Sequence, residues 1–227
     1  MCFSPEADTL VGAVAVSAGV DALRHVRSAR QIPLASLPLL LGVHQFSEAL
    51  VWWGLQGHLA HSVERVAIWV YVMFAFAVLP IFVPAAVGLV ERQVARRRVI
   101  VGFGVLGAVV AVVLAVAALN GPIAAVIEGR HLGYEVDIPS RGGQLTALYV
   151  VATCGALLAS SYRDLARIGA LNLVAVPVLM WMTVNGFVSL WCFWAAIVSV
   201  LISLHFRRRA ALRVVEDLGR TAPRGVV

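Results

Sequence analysis

The chain contains no lysine; all 18 of its basic residues are arginine. Without a lysine amine no Schiff base can form, so a retinal-linked opsin and a pyridoxal-phosphate enzyme are excluded. Charge is scarce too, at 13% of residues, where soluble domains carry about a quarter. Cysteine is limited to three residues, Cys2 at the N-terminus and Cys154 and Cys192 inside apolar runs, which excludes a disulfide framework. A cleavable signal peptide is not expected, because Glu6 and Asp8 stand where a basic n-region would be. No internal repeat or low-complexity run is visible.

Apolar residues fill the space. They make up 61% of the 227 residues, and the mean hydropathy is +0.90. A water-soluble core of this length cannot hide that much apolar surface, whereas a bilayer accepts it. The sequence pI near 10.0 would suit nucleic acid. The arginines, however, gather at the ends of apolar runs, so membrane orientation accounts for them and no nucleic-acid partner is expected.

A spanning helix needs about 20 mostly apolar residues. Seven such segments are predicted, at roughly 7–24, 33–55, 66–90, 99–119, 144–160, 168–184 and 187–206. Ser4 as N-cap, Pro5 at the first helical position and the acids Glu6 and Asp8 specify the first start. Pro80 and Pro84 predict a kink in the third segment, and Asn185-Gly186 a tight turn before the last. With the N-terminus outside, all arginines but Arg65, Arg130 and Arg141 fall on the cytoplasmic side, an asymmetry that also supports an odd number of spans. The reading is an all-α, multi-pass, seven-helix bundle over 1–209 with a cytoplasmic tail over 210–227. The 120–143 connection is the longest and is expected to fold over the outer face.

The second segment carries the chemistry. His44, Gln45 and Glu48 share one helical face, with Trp52 a turn further on. Glu48 reads as the one acid deep inside a span, where an ionisable group costs several kcal/mol unless paired, neutralised or hydrated. The functional reading is a proton, cation or polar-ligand site; the plainer one is a neutral Glu48 fixing helix packing. On the last segment Cys192, Ala196, Ser199 and Ser203 form a stripe of small residues. Such a stripe either packs helices closely or lines a cavity opposite Glu48.

The outer face holds further candidates. Loss of Met1 would leave Cys2 as a thiol beside a free amine at a helix N-terminus, which lowers a thiol pKa; a simple plug in the bundle top explains Cys2 equally well. His58, His61 and Glu64 have weak metal-ligand character, with His131 and Tyr134 on the long connection. No closed metal motif matches, solvated histidines are the bland explanation, and no cofactor is expected. Asp21 with His25, and His205, read as ion pairs or dipole caps at the cytoplasmic ends. The six tryptophans suggest an interfacial belt.

Four stretches together carry a resemblance: Met1-Cys2-Phe3-Ser4, the run from Gln45 through Glu48 to Trp52, His131-Leu132-Gly133-Tyr134, and Val188 to Ala196 with its Trp191-Cys192-Phe193-Trp194 centre. They resemble a bacterial membrane family, domain of unknown function 6629, nearly end to end. The resemblance implies a multi-pass protein of the bacterial inner membrane and no set activity. It also implies that glutamine is usual at position 44, which shifts weight from His44 to Glu48. The seven-helix zinc hydrolases typified by alkaline ceramidases fit poorly, because His205 has Leu201 and Arg209 four residues away where that pattern needs a second histidine.

Three functions are therefore expected to compete. The first is a transporter or sensor binding a proton, cation or small molecule at Glu48, with His44, Gln45, Trp52 and Cys192 around it in a cavity opening outward. The second is a membrane-embedded enzyme using Cys2 with His131, or a histidine-held metal. The third is a non-catalytic scaffold.

Overall fold

The computed structural model describes residues 4–129, 131–137, 142–182 and 187–221. Among these are seven helices: α1 Pro5–Arg24, α2 Ile32–Leu55, α3 His61–Val90, α4 Val94–Asn120, α5 Gly142–Leu158, α6 Arg163–Met182 and α7 Phe187–Thr221. The predicted segments fall on these helices, except that 159–160 run past the end of α5 and 183–184 lie outside the described residues. Three helical stretches, Ala29–Leu55, His61–Val90 and Val94–Asn120, are long and apolar enough to cross a membrane, and a shorter apolar helix covers Gly143–Leu158. The Asn185-Gly186 turn lies outside the described residues. α7 runs unbroken across residue 209, so bundle and tail share one helix.

The start of α1 forms as its residues dictate: Ser4 Oγ accepts from the Ala7 N–H at 3.3 Å, and Pro5 occupies the first turn. α1 then lies against α2 through small residues. Val11, Gly12, Ala15, Ala18, Gly19 and Ala22 are buried along one face. A Cβ on Gly42 would sit 2.7 Å from the Gly12 carbonyl and 2.6 Å from a Val16 methyl, so the backbones are closer than side chains permit.

The kink in α3 takes a specific form. Phe74–Val78 opens into one π-helical turn directly before Pro80. Pro80 has no N–H to offer the carbonyls behind it, and the Tyr149 hydroxyl of α5 donates to the Ala75 carbonyl at 3.1 Å instead. Pro84 likewise strips the Pro80 carbonyl of its helical donor, and Gly107 of α4 packs directly against that carbonyl.

The long connection is more than a loop. Strands β1 Ile123–Glu128 and β2 His131–Val136 pair antiparallel, with Ala125 opposite Tyr134 and Ile127 opposite Leu132. Among the described residues the fold is thus all-α apart from one two-stranded hairpin. Leu132, with no exposed surface, anchors the hairpin on Trp52, Ile68, Tyr71 and Val72. This apolar cluster closes one end of the bundle. A second, built on Leu34, Val87, Ile100, Leu165, Ile202 and Phe206, fills the other end, where the arginines collect.

Candidate functional site

Between those two clusters α2 turns polar. Leu34, Ala35 and Leu37 belong to the cluster at the arginine end, and Val51 and Trp52 to the one under the hairpin. The stretch separating them holds His44, Gln45, Ser47 and Glu48, all buried. Ser47 satisfies itself by donating to the His44 carbonyl at 2.6 Å. Gln45 is 1% exposed and Glu48 is fully buried.

A second acid joins Glu48. Asp8 of α1 is also 0% exposed. The α1–α2 contacts set the register: Gly12 faces Gly42 and Gln45, and Gly19 faces Leu39. Continuing this antiparallel register one turn towards the hairpin brings Asp8 to the level of Glu48. The sequence reading treated Asp8 as a dipole partner at the helix start and counted Glu48 alone at depth; the structure corrects this. The signal was available, because Asp8 extends the small-residue face of Val11, Gly12, Ala15 and Gly19 by one turn.

His44 closes the site from the side. Its ring stacks on Tyr71 of α3, with centroids 4.1 Å apart and planes 15° from parallel. Tyr71 stacks in turn on Tyr134 of the hairpin at 4.4 Å and 9°, and Phe74 flanks His44 at 4.7 Å. Two residues singled out separately, His44 and Tyr134, are therefore ends of one aromatic stack, with Tyr71 as the middle member that the sequence reading missed. Trp52 is 3% exposed, a core residue, whereas Trp181 is 88% exposed.

Several polar atoms here lack a hydrogen-bond partner among the described residues: His44 Nδ1, Gln45 Nε2 and Trp52 Nε1. Each unmade bond costs about 1–3 kcal/mol. Such groups are ordinarily satisfied by water or a bound guest. Two carboxyls at this depth also require neutralisation by a proton, a cation or convergent donors. The arrangement is a buried polar level between two apolar layers.

The other candidates fall elsewhere. Cys2 lies outside the described residues, as does the side chain of Cys192. The rest of its stripe packs the bundle: Ala196, Ser199 and Ser203 are buried, Ser199 donates to the Ala195 carbonyl, and Ser203 donates to Asp21 of α1. His61 Nδ1 and Glu64 Oε2 are 3.5 Å apart, and His131 Nε2 and Glu128 Oε2 are 3.6 Å apart. His58 is exposed. Among the described residues no group of three His, Cys, Asp or Glu is placed to hold a metal ion.

The arginine end contains the dense ion pairing expected of it. Arg207 grips Asp21 with two contacts of 2.7 Å, and His205 and Arg167 meet Asp164 at 3.2 and 3.7 Å. Glu91, between α3 and α4, is 5% exposed. Burial pushes its carboxyl up, but the N–H groups of Ser161, Gln93 and Arg92 and the Ser161 hydroxyl outweigh burial and hold it below the usual carboxylate range. Two of those donors, both from Ser161, lie at 2.7 Å.

Residues 1–216 match the family of unknown function DUF6629. The chain belongs to this family. No curated protein and no solved structure matches it. The resemblance read from its four motifs thus extends over the whole helical bundle, and the family places no activity on Asp8, Glu48 or any neighbour.

Proposed function

We propose that this family member is a multi-pass protein of the bacterial inner membrane that binds a proton or small cation at Glu48 and Asp8, acting as a transporter or a sensor. Its seven helices span the bilayer with the N-terminus outside, so the carboxyls lie in the outer half of the membrane. The observation that carries the reading is the burial of two acids at one level of the α1–α2 pair, each without exposed surface. The orphan atoms of His44, Gln45 and Trp52 support it, because they give a hydrated ion or proton polar surroundings. The aromatic stack supports a coupled readout, since it joins the site to the hairpin through Tyr71.

A hydrophobic carbodiimide reacts with protonated carboxyls inside membranes, so it tests the site before any substrate is known. In the purified protein, labelling at Glu48 or Asp8 is expected, weakening as pH rises and as a binding cation is added. Glu48→Gln and Asp8→Asn should each remove their own adduct and alter the labelling of the other. If neither carboxyl labels at any pH at which the protein stays folded, and no cation releases protons from it in weak buffer, the reading fails. Ion flux in proteoliposomes then separates transporter from sensor.

A further inference from the structure

The arginine end contains a cavity of about 480 Å³ that plays no part in the carboxyl site. That volume lies within the range of small-ligand pockets. Four arginines line it, each from a different segment: Arg30 ahead of α2, Arg92 in the α3–α4 turn, Arg97 in the first turn of α4, and Arg209 on α7. Leu34, Leu89 and Phe206 supply an apolar floor, and Tyr162 a wall.

Three arginines at this end are already held by acids. Arg207 is committed to Asp21, and Arg167 and Arg208 to Asp164. Arg96 donates to the Ala159 and Ser160 carbonyls that end α5. Arg30, Arg92, Arg97 and Arg209 form no ion pair among the described residues; Arg209 instead lies over the Tyr162 ring at 4.2 Å. The one carboxylate at the cavity, Glu91, is saturated by Ser160, Ser161 and Gln93. Membrane orientation explains why arginine is abundant at this end. It does not explain why four guanidiniums without an ion pair line one concavity, where the single carboxylate of Glu91 leaves them in positive excess.

Helix geometry adds to the positive field. α4 begins at the cavity, and its N-cap residue Gln93 makes no capping side-chain hydrogen bond. The first N–H groups of α4 therefore add positive charge at the cavity. Guanidinium forks match phosphate oxygens bidentately.

We propose that this cavity binds a phosphate group, either that of an anionic phospholipid headgroup or that of a soluble phosphate compound. The apolar floor would take the first methylenes of a lipid's acyl chain. Binding is independent of Glu48 and Asp8 and does not rest on the function proposed above.

The test uses the full chain in nanodiscs and in detergent. Native mass spectrometry would count retained phosphatidylglycerol against phosphatidylcholine, and a thermal-shift titration would use inorganic phosphate. Wild-type protein should prefer the anionic lipid, or be stabilised by phosphate, and Arg97→Gln and Arg92→Gln should each weaken that preference about tenfold. Arg98→Gln, exposed and next in the chain but outside the cavity, should change nothing. Lipid preference without a phosphate response identifies the headgroup as the source, and a phosphate response that displaces the lipid identifies a soluble compound. Equal retention of both lipids with no phosphate response, or an Arg98→Gln effect as large as that of Arg97→Gln, overturns the proposal.

Discussion

Glu91 shows how much a single buried carboxylate can control when its donors are all in place. Ser161 contributes both backbone and hydroxyl, and Gln93 contributes a backbone N–H at 2.9 Å, so the α3–α4 turn is tied to the α5–α6 turn through one side chain. Glu91→Gln leaves at least one donor facing another donor, and a loss of about 1–3 kcal/mol is expected. The pH dependence has a definite sign. The folded carboxyl is held below its unfolded value of 4.5, so the unfolded chain takes up the proton first on acidification. The stability it contributes is complete above that value, declines as pH falls through it, and is gone once the folded carboxyl is protonated. Thermal unfolding across this window should show wild type converging on Glu91→Gln at the acid end. A constant gap between the two at every pH would mean that its charge is irrelevant. Asp8 and Glu48 differ from Glu91 in kind: they sit among apolar layers inside the bundle instead of at a turn.

Helix pairing depends on which backbone groups have been stripped of partners and what has been fitted against them. In α3, Pro80 and Pro84 leave carbonyls without helical donors; one is met by the Tyr149 hydroxyl and the other by the bare face of Gly107. Gly107→Ala would drive a methyl group into the Pro80 carbonyl. A cost of about 1–3 kcal/mol and a lower unfolding midpoint are expected, because α3 and α4 must separate. Gly102, on the same helix, has open space where its Cβ would be. Gly102→Ala should be neutral or stabilising by up to about 1 kcal/mol, as in any helix interior. Equal effects at the two positions would remove close packing as the explanation. The hairpin belongs to this scale as well. Its strands are short, and Leu132 supplies the fully buried anchor that a lone hairpin lacks.

At the scale of the whole molecule, the proposed seven-span topology makes definite predictions. Seven helices are described, of which three are individually long and apolar enough to span. With the N-terminus outside and seven spans, a fluorescent protein fused after Val227 should fold and fluoresce in the cytoplasm. A cysteine placed at His58 should react with an impermeant maleimide from outside, and one at Arg30 should not. Labelling at Arg30 from outside would invert the topology and move the phosphate cavity to the opposite face.

Much of this architecture was legible along the chain. Helix positions follow from runs of apolar residues, and helix starts from Ser4 and Pro5, because both depend on near neighbours and on the length a bilayer imposes. The burial of Glu48 followed from its place within an apolar run. The partnership of Asp8 with that level did not, because it depends on how far α1 slides along α2, which the contact of Gly12 with Gly42 sets. The same holds for the stack that joins His44 to Tyr134 and for the four arginines around one cavity. Apart from Arg92 and Arg97, those residues lie tens of positions apart, and no local periodicity encodes the packing of distant helix faces.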